Sequence, residues 1–98
     1  MYFVELSSQA RKDRKLLKGA GLEKKAKMLL DIIALNPFQS PPPFERLSRE
    51  LRGNFSRRLN SQHRLVYDIV ANSENLLLPN GTPYEGIIRV KRMWTHYE

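Results

Sequence analysis

The chain has no cysteine, so it can form neither a disulfide framework nor a thiolate metal site. Its two histidines alone argue against a metal centre, and no cofactor-binding signature is expected. No apolar run approaches the roughly 20 residues needed to cross a bilayer. The opening Met1-Tyr2-Phe3-Val4-Glu5 lacks the basic-then-apolar pattern of a signal peptide. These absences fit a protein of the reducing cytoplasm. Acidic residues are scarce too: ten Asp and Glu stand against seventeen Lys and Arg, a formal net charge of +7. The 98 residues suit one domain, 1–98, and a hydrophobic content of 41% supports a packed core rather than disorder.

An excess of positive charge points to a polyanionic partner, either nucleic acid or an acidic protein. Much of it lies in the first third. Arg11, Lys12, Arg14, Lys15, Lys18, Lys24, Lys25 and Lys27 face only Asp13 and Glu23 there. Such a run is either a solvated helix face or a platform that tracks a phosphate backbone.

Periodicity gives an α+β reading. Tyr2–Leu6 has the composition of a short strand. Ser7-Ser8 offers an N-cap to a helix from Gln9 toward Lys18, which Gly19-Ala20-Gly21 breaks. A second helix, about Leu22–Leu35, carries Leu22, Ala26, Leu29, Leu30 and Ile33 at helical spacing and ends at Asn36-Pro37. The proline-rich 37–43 stretch continues neither regular structure. From Glu45 the period changes to two, with strands expected near Glu45–Leu47, Asn54–Leu59, Arg64–Val70 and Gly86–Trp94. An extended connection, 72–85, holds a turn at Pro79-Asn80-Gly81.

The densest chemistry lies between Gly53 and Tyr67. Two alternating runs carry Arg57, Arg58 and Arg64 around a polar turn, reading as a hairpin with guanidinium groups on its outward face. Arginine presents a planar fork of donors to phosphate oxygens and keeps its charge. Glu45 lies just upstream, His63 precedes Arg64, and the chain closes on His96-Tyr97-Glu98. His63 reads as structural or as a partner of the strand's polar face. Taken alone, Glu45 is an ordinary exposed glutamate and His96 a terminal histidine.

Taken together, these residues resemble the YoeB/Txe toxins of the RelE superfamily. The likeness runs from Asn36-Pro37-Phe38 through Glu45-Arg46-Leu47 and Ser56-Arg57-Arg58-Leu59 to His63-Arg64-Leu65-Val66-Tyr67 and His96-Tyr97. It implies a RelE-like, microbial-ribonuclease-like fold, with two N-terminal helices packed on a mostly antiparallel sheet. It implies a toxin of a type II toxin–antitoxin pair that cuts messenger RNA in the ribosomal A site, without metal, to a 2′,3′-cyclic phosphate and a 5′-hydroxyl. Under the resemblance Glu45 is the general base, Arg64 the phosphate clamp and His96 the general acid. Arg57, Arg58, Gln62 and Tyr97 then contact RNA, and Lys12, Lys15, Lys18, Lys24 and Lys25 dock on the ribosome. The partners implied are a Phd/YefM-type antitoxin and the ribosome, with homodimerisation open and no membrane.

The chain departs from the family pattern in four places. Gln62 stands where a glutamate is usual, Phe55 where tryptophan is common, Glu98 follows the closing tyrosine, and the 72–85 connection is long. Two other readings share the fold: a ParE-like gyrase inhibitor without enzymatic action, and an inert RNA-binding module. The joint presence of Glu45, Arg64 and His96 separates the first reading from the ParE-like one, and loss of growth inhibition in His96→Ala with antitoxin binding intact would separate it from the inert module.

Overall fold

The computed structural model describes residues 1–94. Strand β1 (Phe3–Leu6) leads into helix α1 (Ser8–Gly19), then helix α2 (Glu23–Leu35). A short β2 (Glu45–Arg46) and a 3-10 turn at Arg49–Leu51 precede β3 (Asn54–Arg58), β4 (Arg64–Val70) and β5 (Ile87–Arg92). The five strands form one mixed sheet in the order β1-β5-β4-β3-β2. Every pairing is antiparallel except β1 with β5, which run parallel in the register Phe3↔Ile87 to Leu6↔Val90.

Local chemistry sets the helix ends. The Ser7 hydroxyl accepts the Ala10 N–H at 3.0 Å and so caps α1. Gly21, at φ +73°, turns the chain between the helices. Ala10, Leu17, Ala26, Leu29 and Ile33 form the buried stripes of the two helices. They pack with Phe55, Leu65, Tyr67, Ile88 and Val90 from one face of the sheet. Residues alternate across a strand, so Ser56, Arg58, Arg64, Val66 and Asp68 belong to the opposite, open face.

The expected connection 72–85 is built around two asparagines. Asn72 donates to the Leu76 and Tyr84 carbonyls and accepts from the Leu76 N–H. Asn80 accepts from the Thr82 N–H, and Gly81 takes φ +87° at the tip, the turn that Asn-Gly specifies. Several strand ends fall one or two residues inside expectation: β2 stops at Arg46, β3 at Arg58, and β5 starts at Ile87. The first strand starts at Phe3, and β5 stops at Arg92 rather than Trp94, because Asp13 takes over the backbone N–H groups of Met93 and Trp94 there. Among the described residues, no helix is long and apolar enough to cross a membrane.

Candidate active site

Glu45, Ser56 and Val66 lie in one cross-strand row, and Arg58 faces Arg64 directly across the β3–β4 ladder. That register brings three of the residues singled out from sequence, Glu45, Arg58 and Arg64, onto neighbouring positions of the open face. The Arg64 guanidinium donates to the Ser56 hydroxyl at 3.1 Å and approaches the Glu45 carboxylate at 3.5 Å. The Arg64 side chain is 15% exposed while that of Glu45 is 60% exposed. The arginine is therefore held from below, and the carboxylate stands free above it. Arg58 is exposed at the same edge. The arrangement offers a carboxylate that can accept a proton, beside cations that can hold an anion. An open groove lined by Glu45, Arg46, Arg49 and Glu50 runs from it along the β2–β3 connection.

Arg57 departs from expectation. It is fully buried, and its guanidinium donates to the carbonyls of Pro37, Gln39 and Pro42 and to the Tyr67 hydroxyl. It also lies 5.0 Å from the Phe44 ring centre. With its donors spent on the proline-rich loop, Arg57 tethers that loop to the sheet and is buried rather than presented on the outward face expected for it. Two adjacent strand residues cannot share a face, so Arg57 and Arg58 had to separate. The same tether fixes Glu45, which follows the loop directly. Tyr67 completes it by donating to the Pro37 carbonyl at 2.8 Å, and burial pushes its hydroxyl's pKa up.

Gln62 lies exposed in the hairpin turn, where its backbone N–H donates to Asn60 Oδ1. Lys12, Lys15, Lys18, Lys24 and Lys25 are all exposed on α1 and α2, on the side of the sheet away from Glu45 and Arg64. His96 and Tyr97 lie outside the described residues. Among the described residues, no group of three His, Cys, Asp or Glu side chains is placed to hold a metal ion.

Sequence reasoning missed Asp13. Its side chain is 1% exposed, and its carboxylate accepts from Gln9, from Arg92 Nε at 2.9 Å, and from the backbone N–H groups of Met93 and Trp94 at 2.9 and 3.2 Å. Burial alone raises its pKa, but the bonds from Arg92, Met93 and Gln9 outweigh that and hold it below the usual carboxylate range. The signal was present: Ala10, Asp13 and Leu17 form the buried stripe of α1, and a carboxylate there needs a partner. Asp68 on the open face is likewise held low. Burial opposes this, while Arg89 and Lys91 overcome it.

The sequence model of a family described as the YoeB-like toxin of bacterial type II toxin-antitoxin systems matches residues 6–79, most of the chain. Toxin YoeB of Synechocystis is 46% identical over 57 residues, covering 58% of this chain and 59% of that protein. The matched stretch thus spans little more than half the curated relative. Among solved structures, a YoeB-YefM complex from Staphylococcus aureus aligns at TM-score 0.68 and 28% identity over 99% of both chains. A YoeB dimer from the same organism aligns at 0.71 and 28% identity over 98% of both chains. A YoeB/ParE toxin from Agrobacterium tumefaciens, at 20% identity and TM-score 0.77 over 97% of this chain and 99% of that one, shares the fold. The match across the helices, the proline-rich loop and the arginine hairpin settles the affiliation: this chain belongs to the YoeB-like toxins of bacterial type II toxin–antitoxin systems.

Proposed function

We propose that the protein is a metal-independent endoribonuclease that cuts messenger RNA bound in the ribosomal A site. The observation that carries this reading is the Glu45–Arg64 pair on the open face, with Arg58 opposite Arg64 across the ladder. Glu45 takes the proton from a ribose 2′-hydroxyl, and that oxygen attacks the adjacent phosphorus. Arg64 and Arg58 hold the phosphate oxygens as charge builds on them. His96 gives a proton to the departing 5′-oxygen. The P–O5′ bond breaks, leaving a 2′,3′-cyclic phosphate and a 5′-hydroxyl; the route moves one proton at each oxygen and draws on no metal or cofactor. Tyr97 stacks on the substrate base, worth about 1–3 kcal/mol, and Gln62 contacts RNA at the hairpin tip.

The lysines of α1 and α2 lie on the far side of the sheet, so they engage ribosomal RNA while the open face engages the message. The reaction is then cytoplasmic, where ribosomes are. A Phd/YefM-type antitoxin with an acidic segment neutralises the toxin by covering the open face. A relative from Staphylococcus aureus forms a YoeB-YefM complex and a YoeB dimer, and antitoxin binding and homodimerisation are proposed for this chain.

The test is induction of the wild-type chain and of Glu45→Gln without antitoxin, with mapping of RNA 5′ ends. New 5′-hydroxyl ends within translated messages, lost in Glu45→Gln, are expected. Gyrase-linked DNA damage without new RNA ends would overturn the reading in favour of a ParE-like inhibitor.

A further inference from the structure

Asp68 holds two cations on the open face, on the β5 side of Arg64. It stands opposite Arg89 across the β4–β5 ladder, and Arg89 donates to its two oxygens through Nε and Nη2. The Lys91 ammonium lies 3.3 Å from the same carboxylate. Lys91 reaches it from a β-bulge: Val66 pairs with Arg92 and Tyr67 with Val90, so Lys91 is the extra residue between them. The Ser7 hydroxyl donates to the Lys91 carbonyl at 2.9 Å and pins the bulge to the start of α1. The carboxylate is nearly buried, whereas the side chains of Arg89 and Lys91 are 50% and 43% exposed. One anion thus orients two cations from beneath, and their remaining N–H groups are left for solvent or a ligand. Glu5 faces Arg89 from β1 but closes no ion pair with it among the described residues.

A cross-strand pair that serves only the sheet balances one cation with one carboxylate. Here a second cation is brought to the same carboxylate by a break in the ladder. Arg64, Val66 and Asp68 are successive open-face positions of β4, so Asp68 lies about 13 Å along the strand from Arg64. Arg89 and Lys91 stand one strand further. A short stretch of extended RNA backbone covers that span. We propose that Arg89 and Lys91 form a second phosphate-binding subsite on the open face, which holds the backbone of single-stranded RNA a short way along from the phosphate gripped by Arg58 and Arg64. This rests on the reading of that face as the RNA-binding one. Val66, uncharged and 1% exposed, lies between the two sites, so the polyanion is held at separate points rather than along a continuous stripe.

The experiment measures affinity by fluorescence anisotropy for labelled 2′-O-methyl oligouridylates, which lack the attacking hydroxyl and stay whole. A dinucleotide has a single internucleotide phosphate and fills the Arg58–Arg64 site alone. A strand of about eight nucleotides reaches both sites. Arg89→Gln and Lys91→Gln each keep a donor for Asp68 and leave it the other cation. Each should weaken the longer strand on the order of 3- to 10-fold and lower its slope of log affinity against log salt by about 0.7, the loss of one phosphate contact. Dinucleotide affinity should stay within about twofold. Should one variant fail to fold, the other carries the test. An unchanged affinity for the longer strand overturns the proposal, as does an equal loss at both lengths, which reports general charge only. Unchanged RNA binding with weakened binding of a polyglutamate peptide also overturns it and assigns the pair to an acidic protein partner. Cleavage is read separately on ribosomes programmed with a message. A wild type that cuts nothing there, while both variants still weaken the longer strand, overturns the nuclease reading and leaves the subsite standing.

Discussion

Replacing Asp13 tests how α1 anchors the end of β5. The carboxylate is nearly fully buried, accepts four hydrogen bonds and pairs with Arg92, whose side chain is 34% exposed. Removing one partner of a buried pair costs about 3–5 kcal/mol. Arg92 regains part of its hydration at the surface, so the lower end applies, about 3 kcal/mol for Asp13→Ala. In a domain of this size each kcal/mol moves the melting temperature by about 4–8 °C, giving a fall of about 12–24 °C. Asp13→Asn keeps an acceptor for the two backbone N–H groups and loses the charge, which costs about 1–2 kcal/mol.

The pH dependence follows from the lowered carboxyl pKa. A group whose pKa is depressed on folding stabilises the fold at pH values above its unfolded value. That stabilisation is lost as pH falls through the folded value. The gap between wild type and Asp13→Asn should therefore be full at pH 7 and narrow below about pH 4. Thermal melts from pH 7 to pH 2.5 measure it. A melting temperature that falls by less than about 4 °C in Asp13→Ala, or a gap that widens in acid, would refute the reasoning.

Arg57→Ala should lower stability by about 1–3 kcal/mol, because the buried carbonyls of Gln39 and Pro42 lose their side-chain donor while Pro37 keeps that of Tyr67. Denaturant midpoints measure that, and a loss below 1 kcal/mol counts against the tether. Arg58→Ala, by contrast, should leave the midpoint nearly unchanged. It should weaken RNA binding and lower the slope of log affinity against log salt by about one, as titrations across ionic strength would show.

Sequence gave the strands and helices to within a residue or two because the period changes cleanly from helical to two at Glu45. β4 has the expected bounds, Arg64–Val70. The Ser7 cap and the Asn80-Gly81 turn were legible because those residues act on their own backbone. The pairing of Glu45 with Arg64 was reachable through the resemblance alone, since nothing in local pattern sets the register of β2 on β3. Arg57 was misplaced because its acceptors are carbonyls of the loop 15 to 20 residues earlier, and loop carbonyls leave no mark on composition. Asp13 joining Trp94 across 81 residues was hidden for the same reason.

The parallel pairing of β1 with β5 has a consequence for how the chain folds. Among the described residues β5 alone ties β1 to the rest of the sheet, through partners 84 residues apart such as Phe3 and Ile87. The β3–β4 hairpin and the two helices need only local closure, whereas the β1–β5 ladder must close nearly the whole chain. Long-range closure slows folding. A chain that has not yet delivered residues 87–94 already carries Glu45, Arg58 and Arg64, but it lacks the strand that completes the sheet. The strand that joins β1 to the hairpin is thus the one whose pairing waits on the longest stretch of chain, and the sheet closes in an order set by its own topology.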